Sequence, residues 1–176
     1  MKSHKICGYK DIGKSHQDKG GKCQDSFFIG EGKGFIVAAI ADGLSASKHS
    51  HVASDIAVNE TVRYCLQHIT NDYDKAKILS IINKAFDEAH FKIKQTAGFD
   101  LNNYDTTLTL AVYMNGDVYY GHVGDSGIIA LREDGKFDCV TKPQSGTALS
   151  SFVELADKML YLSKNEGRNR INWSVF

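Results

Sequence analysis

The fold is decided by an apolar run that ends in an acidic residue and a glycine, Phe35-Ile36-Val37-Ala38-Ala39-Ile40-Ala41-Asp42-Gly43. A continuous apolar run of this kind predicts a β-strand that is buried on both faces. The aspartate that follows projects a carboxylate from a rigid strand end, and the glycine lets its own carbonyl approach the same point. Hard cations such as Mg²⁺ and Mn²⁺ prefer oxygen ligands of this kind. Asp-Gly is also a common turn dipeptide. Whether Asp42-Gly43 is a metal-binding strand end or only a turn therefore depends on the other motifs of the chain.

The segments on either side of this run have alternating periodicities. Residues 5–11 and 23–29 have strand character, and the glycine-rich segment 30–34 predicts a hairpin turn. Two helices are predicted next, over about residues 50–69 and 73–96, each with one apolar stripe. Asp72 is the expected N-cap of the second helix, and Gly98 is its expected stop.

Strands return after the helices. They are predicted over residues 104–113, 117–123, 127–132 and 137–141, with turns at Asn115-Gly116 and Asp134-Gly135. Strands, two adjacent helices and then hairpin-linked strands predict an α+β layered domain with largely antiparallel sheets.

The bulk composition is that of an ordinary soluble domain. The chain has 176 residues, 42% of them hydrophobic and 24% charged, with a formal net charge of zero. The lack of a basic cluster argues against a nucleic-acid or anionic-membrane partner, and no apolar run approaches the roughly 20 residues that span a bilayer. No signal-like stretch follows the N-terminus, so a cytoplasmic location is expected. The four widely spaced cysteines predict reduced thiols.

Two further acidic motifs also lie at predicted strand ends. Asp25 lies in Gln24-Asp25-Ser26 at the start of an early strand, and Asp125 follows the strand that ends at Val123. Aspartates at the ends of separate strands can converge on one edge of a sheet, which is how all-oxygen sites for two metals are assembled.

The motifs together resemble the PPM-type (protein phosphatase 2C) family, most closely its bacterial branch, over about residues 5–142. The segments that carry this resemblance are Ser15-His16, Gln24-Asp25-Ser26, Ala41-Asp42-Gly43-Leu44, Asp105-Thr106-Thr107-Leu108 and Val123-Gly124-Asp125-Ser126. It implies a sandwich of two largely antiparallel β-sheets flanked by α-helices, incomplete at the C-terminus.

The resemblance also implies site roles. Asp42 would bridge two divalent ions, Mg²⁺ or Mn²⁺, and act as the catalytic residue, and the carbonyl of Gly43 would bind one ion. Asp25 would act through a bound water, Asp125 would assist a third, weaker ion, and Thr106 and Thr107 would support the site from beneath. The implied activity is hydrolysis of phosphoserine and phosphothreonine on a phosphoprotein by metal-activated water.

The chain departs from the family pattern at several positions. The family often has a phosphate-binding arginine before the Gln24 position, whereas the first arginine here is Arg63. His16, Lys19 and Lys22 are the local alternatives, so the phosphate-binding residue is not identified. Some members have a histidine where Leu44 stands; His49 and His51 lie nearby and are predicted to have surface or capping roles.

The C-terminal part of the chain also departs from the family pattern. The family pattern includes two more aspartates, in Asp-Gly and Asp-Asn motifs, and neither motif follows residue 142. A boundary is predicted at residues 143–147, between a phosphatase-like domain (1–145) and a tail (146–176). Residues 156–170 of the tail resemble the end of a GGDEF domain without its signature, so no cyclase activity is implied. The tail is either a fusion scar or a helix that covers an exposed sheet edge.

A second function therefore stays open beside hydrolysis. The chain could be a truncated or catalytically impaired phosphatase-like domain that acts as an interaction or regulatory module. The short matches to serine-hydrolase motifs, Gly124-Asp125-Ser126-Gly127 and Ser45-Ala46-Ser47-Lys48, lack the partner motifs that those enzymes need.

Overall fold

The computed structural model of the chain describes residues 6–11, 22–131 and 134–141. In chain order the elements are β1 (Asp25–Gly32), β2 (Phe35–Asp42), α1 (Ser50–His68), α2 (Lys75–Ala97), a 3-10 turn (Leu101–Asn103), β3 (Leu108–Met114), β4 (Asp117–Val123), β5 (Ile129–Leu131) and β6 (Phe137–Cys139). The predicted boundary at 143–147 and the tail at 146–176 lie outside the described residues, as do His16 and Lys19.

The strands form two antiparallel sheets. The first has the order β1-β2-β3-β4, and the second consists of β5 and β6. The hairpin between β1 and β2 turns at Lys33-Gly34, and the one between β3 and β4 turns at Asn115-Gly116, where both residues have positive φ. Positive φ at both central residues matches the right-handed twist of the flanking strands. The predicted α+β fold with antiparallel sheets is confirmed.

Helices α1 and α2 cover one face of the four-stranded sheet. Alternate residues of β2 (Phe35, Val37, Ala39 and Ala41) are buried on this face, whereas Ile40 on the other face is 43% exposed. The prediction that β2 is buried on both faces is therefore wrong. Successive side chains of a strand point to opposite faces, and the helices pack on only one of them.

The predicted start of α2 is also wrong. The N-cap of α2 is Asp74, which accepts a hydrogen bond from the Lys77 N–H at 2.8 Å. The side chain of Asp72 instead accepts one from the Thr70 hydroxyl in the preceding turn, so the helix begins later than predicted. Gly98 ends the helix as expected, with φ of 57°.

The strand predicted over residues 104–113 begins only at Leu108, because Thr106 makes an isolated bridge to Gly43 and Asp105 binds the loop after β2. The predicted N-terminal strand is absent from residues 6–11, where Gly8 lies against the ring of Phe27. In the described ranges no helix is both long enough and apolar enough to cross a membrane.

Candidate metal centre

Two aspartates meet at one end of the first sheet, where β1 begins and β2 ends. Asp25 and Asp42 are paired directly in the antiparallel register of β1 and β2. The pKa of Asp42 is raised from 3.8 to about 6, first by desolvation, then by the hydrogen bond and charge of Asp25 and by the charge of Asp125. Two carboxylates this close cannot both ionise without cost, so a cation would relieve their repulsion.

Asp125 reaches the same end of the sheet through a tight turn after β4. Gly124 has φ of 99°, and a Cβ there would lie 2.5 Å from the Thr107 Cγ2 atom, so only glycine lets the turn approach this closely. Within the described ranges, however, no three His, Cys, Asp or Glu side chains form a group that could hold a metal ion. A cation here would therefore also need backbone or water oxygens as ligands.

Thr106 and Thr107 hold the backbone of Asp42 from the segment just before β3. The Asp42 N–H donates to Thr107 Oγ1 at 2.9 Å, and the Asp42 carbonyl accepts from the Thr107 N–H at 2.8 Å and from Thr106 Oγ1 at 3.0 Å. Since Thr107 Oγ1 accepts from Asp42, its own proton is available for Ser126 Oγ at 3.0 Å. The buried Thr107 hydroxyl thus joins the Asp42 strand end to the turn that carries Asp125.

Gly43 lets the end of β2 lie directly against helix α1. Its N–H donates to the Gln24 carbonyl at 3.1 Å. A Cβ at position 43 would lie 2.8 Å from the carbonyl carbon, oxygen and Cβ of Ser50, the first residue of α1. Because backbone atoms cannot move aside as a flexible side chain can, this position requires glycine.

Sequence reasoning missed a set of buried hydroxyl groups that joins β1 to α1. Gln24 Nε2 donates to Ser50 Oγ at 2.7 Å, and Ser54 Oγ donates to the Gln24 carbonyl at 2.6 Å. Ser26 Oγ is 3.1 Å from Ser54 Oγ, and Ser50 and Ser54 are both fully buried. The i, i+4 spacing of Ser50 and Ser54 extends the apolar stripe of α1 and was the available signal. These bonds position the strand end that carries Asp25.

The loop after Gly43 is held by the segment before β3. Asp105 accepts from the Leu44 N–H at 3.1 Å through its carbonyl and from Ser47 Oγ at 3.0 Å through Oδ2. The His49 N–H donates to the Asn103 carbonyl at 2.8 Å. Asp105 begins the motif Asp105-Thr106-Thr107-Leu108, but the sequence assigned it no role.

The histidines near the site have other partners. His49 occupies the N-cap position of α1 without a side-chain capping bond, and its Nε2 is 3.8 Å from Asp100 Oδ2. His51 Nε2 is 3.3 Å from Lys22 Nζ, and its pKa is lowered by desolvation and then by the charges of Lys22 and His49. A neutral imidazole accepts the Lys22 hydrogen bond. Lys22, a candidate phosphate ligand, is thus directed to His51.

Comparison with known proteins identifies the family of this chain. The protein phosphatase 2C family profile matches residues 12–165. A serine/threonine phosphatase of S. agalactiae has 20% identity and a TM-score of 0.60, over 76% of this chain and 54% of that one. One from Staphylococcus aureus has 17% identity and a TM-score of 0.65, over 93% and 61%. The catalytic domain of PstP in complex with two manganese ions has 22% identity and a TM-score of 0.55, over 76% and 54%.

These structures support the incomplete α+β sandwich implied by the sequence. The chain spans only 54% to 61% of their lengths. A search of curated protein sequences gave no match. Since the family profile covers most of the sequence, this chain belongs to the protein phosphatase 2C family.

Proposed function

We propose that this protein hydrolyses phosphoserine and phosphothreonine on protein substrates, using Mg²⁺ or Mn²⁺ bound at the Asp25–Asp42 pair. The observation that carries the proposal is the direct pairing of Asp25 with Asp42 in the register of β1 and β2, where the charge of Asp125 also raises the pKa of Asp42. Burial raises the pKa of Asp42, and the neighbouring Asp25 and Asp125 raise it further. Such a cluster of negative charge favours a divalent cation.

The available ligand atoms are oxygens, which divalent cations such as Mg²⁺ and Mn²⁺ prefer. The carboxylates of Asp25, Asp42 and Asp125 are hard oxygen ligands on solvent-exposed residues, so water can fill the remaining coordination positions. The backbone carbonyl of Gly43 is the further protein ligand that we infer from the family resemblance. When bound, two such ions lower the pKa of a shared water and stabilise negative charge on the phosphoryl oxygens.

The residues of the chain would hold the Asp42 carboxylate in position and set the pH at which it loses its proton. Thr106 and Thr107 bind the Asp42 backbone on both its N–H and carbonyl sides, which keeps the carboxylate in place without a conformational search. The pKa of Asp42 is raised to about 6, so a cation that bound its carboxylate below that pH would displace a proton. Asp125 supplies the negative charge that a third ion would need.

The test uses the full chain, Mn²⁺ and a phosphothreonine peptide. We expect Mn²⁺-dependent phosphate release that Asp42→Asn lowers by about a hundredfold or more, since even groups behind metal ligands contribute about 10–100-fold. Asp55→Asn is the matched control, because Asp55 is an exposed aspartate on α1 bonded to Asn59. Equal, metal-independent rates in the parent protein and Asp42→Asn would contradict the proposal.

Thermal unfolding provides a second readout that does not need turnover. Mn²⁺ at about 100 times its Kd stabilises a folded protein by about 2.7 kcal/mol, which at this size raises the melting temperature by about 5–10 °C. We expect this shift in the parent protein and in Asp55→Asn, and its loss in Asp42→Asn. A stable fold with neither the shift nor turnover would instead support an interaction module.

A further inference from the structure

The residues on both sides of Asp25 are held by one residue of helix α1, Ser54. The Ser54 hydroxyl oxygen is 2.6 Å from the Gln24 carbonyl oxygen and 3.1 Å from the Ser26 hydroxyl oxygen. A hydroxyl carries one proton, and Ser54 donates it to the Gln24 carbonyl, since the other carbonyl within reach, that of His51, is farther away at 3.2 Å. Ser26 is then the donor in its bond with Ser54.

The side chain of Asp25 lies on the face of the sheet opposite to α1. Successive side chains of a strand point to opposite faces, and Ser26 pairs in the register with Ala41, which is buried on the face that the helices cover. Asp25 therefore points to the other face, with Asp42 as its partner in the register. Ser54 thus holds the backbone that carries Asp25 from behind, on the face opposite to the carboxylate.

The place of β1 in the sheet gives this contact its importance. In the described sheet β1 is the edge strand and pairs only with β2. The hairpin ladder ends just beyond the aspartate pair, where the Gly43 N–H donates to the Gln24 carbonyl at 3.1 Å. The backbone of Asp42 is also held from the segment before β3. Asp25 has helix α1 in place of a second neighbouring strand.

A hydroxyl at position 54 fixes direction more than it adds stability. Ser54 is fully buried, and so are the apolar residues one turn further along α1, Ala57 and Val58. Replacing buried hydrogen-bonding partners by apolar groups of the same shape can be nearly neutral for stability. Apolar contacts are non-directional, however, whereas hydrogen bonds restrict both distance and angle. The bonds of Ser54 therefore set where the end of β1 lies relative to α1.

We propose, on the basis of the metal site proposed above, that Ser54 is a positioning residue that fixes the Asp25 carboxylate relative to that of Asp42. It would thereby set which divalent cation the pair prefers. Mg²⁺ demands near-ideal octahedral geometry, whereas Ca²⁺ accepts flexible coordination. Loss of the Ser54 bonds should therefore weaken Mg²⁺ binding more than Ca²⁺ binding. A role in folding alone would lower stability and leave the ratio of the two affinities unchanged.

Calorimetric titration of the full chain with Mg²⁺ and with Ca²⁺ tests this role. In Ser54→Ala we expect the Mg²⁺ affinity to fall about tenfold, as for other groups that orient metal ligands, and the Ca²⁺ affinity to fall by a smaller factor. Thr61→Val is the matched control. Thr61 is also fully buried on α1, but its hydroxyl donates within the helix, to the Ala57 carbonyl at 2.7 Å. Both affinities should stay unchanged in this control, and a parental affinity ratio in Ser54→Ala would overturn the assignment.

Hydrogen exchange of the metal-free protein provides a second measurement. The Gly43 N–H bonds the Gln24 carbonyl, which Ser54→Ala releases from α1, so this amide should exchange about fivefold faster. The amide of Val37, fully buried in the middle of β2, serves as the reference for global opening and should not change in the same way. Equal Gly43 exchange in Ser54→Ala and the parent protein would overturn the positioning role.

A second variant and the exchange data separate this role from the proposed function. Ser26→Ala removes only one of the two bonds of Ser54 to β1, and should shift the Mg²⁺ to Ca²⁺ ratio in the same direction by a smaller factor. It replaces Ser54→Ala if that variant does not fold. A parent protein that binds neither ion would contradict the proposed function, and the Gly43 exchange rates would then still decide whether Ser54 holds the strand end that carries Asp25.

Discussion

Asp25 and Asp42 stand opposite each other at the ends of β1 and β2, and the proximity of Asp25 raises the pKa of Asp42. The register that pairs them is set by the turn at Lys33-Gly34, at the other end of the same hairpin. A slip of one residue would turn the side chains of one strand to the opposite face. The candidate metal centre therefore depends on a hairpin turn that makes no contact with it.

The first prediction concerns pH and the metal-free protein. The pKa of Asp42 is about 6 in the folded state against 3.8 for an ordinary aspartate, so the folded state binds the proton more tightly. Linkage then makes the folded protein lose stability as pH rises from about 4 through about 6. Asp42→Asn removes this loss, because a neutral amide cannot repel Asp25.

Urea unfolding in the presence of a chelator measures this effect. Above pH about 6, we expect Asp42→Asn to be more stable than the parent protein by less than about 1 kcal/mol, since solvent screens an exposed carboxylate. Near pH 4 the difference should disappear. The control Asp55→Asn should show no such pH-dependent difference. An Asp42→Asn variant that is equally destabilised at both pH values would show that the two carboxylates do not repel.

The second prediction concerns the buried hydroxyl of Thr107. Thr107→Val keeps the side-chain shape but leaves the Asp42 N–H without its 2.9 Å acceptor and removes the bond to Ser126. Leaving a fully buried donor unpaired costs about 1–3 kcal/mol; because the Asp42 N–H is only part-buried, we expect a loss near the lower end of this range in urea unfolding. Thr61→Val is the control. The hydroxyl that it removes donates to the Ala57 carbonyl, and this carbonyl keeps its helical N–H partner. The loss of stability should therefore be smaller than in Thr107→Val. Equal losses in the two variants would contradict the linking role of Thr107.

The third prediction concerns the contact between Gly43 and α1. In Gly43→Ala the new Cβ would lie 2.8 Å from the Ser50 backbone, and overpacking of this kind costs about 1–3 kcal/mol. We also expect weaker Mn²⁺ binding in calorimetric titration, because the displaced backbone adjoins Asp42. Gly116→Ala is the control: its φ of 90° strains alanine, nothing lies within 4 Å, and it is at the far end of the sheet. If Gly43→Ala bound Mn²⁺ as tightly as the parent protein, the contact between Gly43 and Ser50 would not support the metal centre, and the prediction would be wrong.

Much of the fold could be predicted because local patterns specify it. Alternating and continuous apolar runs indicated the strands, apolar stripes indicated α1 and α2, and glycines with positive φ closed the hairpins at Gly34 and Gly116. The errors occurred where a distant contact overrode a local preference. Thr106 and Thr107 bind Asp42 rather than extending β3, and the other face of β2 stays partly exposed because the helices cover only one side.

The sequence by itself determined which residues could form the candidate site, since Asp25, Asp42 and Asp125 were all recognisable at strand ends. Only the tertiary structure decided that Asp25 and Asp42 are direct partners in the register and that the Thr107 hydroxyl links the Asp42 strand end to Ser126. It also showed that the apolar side chains of Ile129, Leu131 and Phe137 on β5 and β6 are exposed. Strand pairing and side-chain burial join residues that are far apart in the chain, and periodicity within one segment carries no information about such contacts.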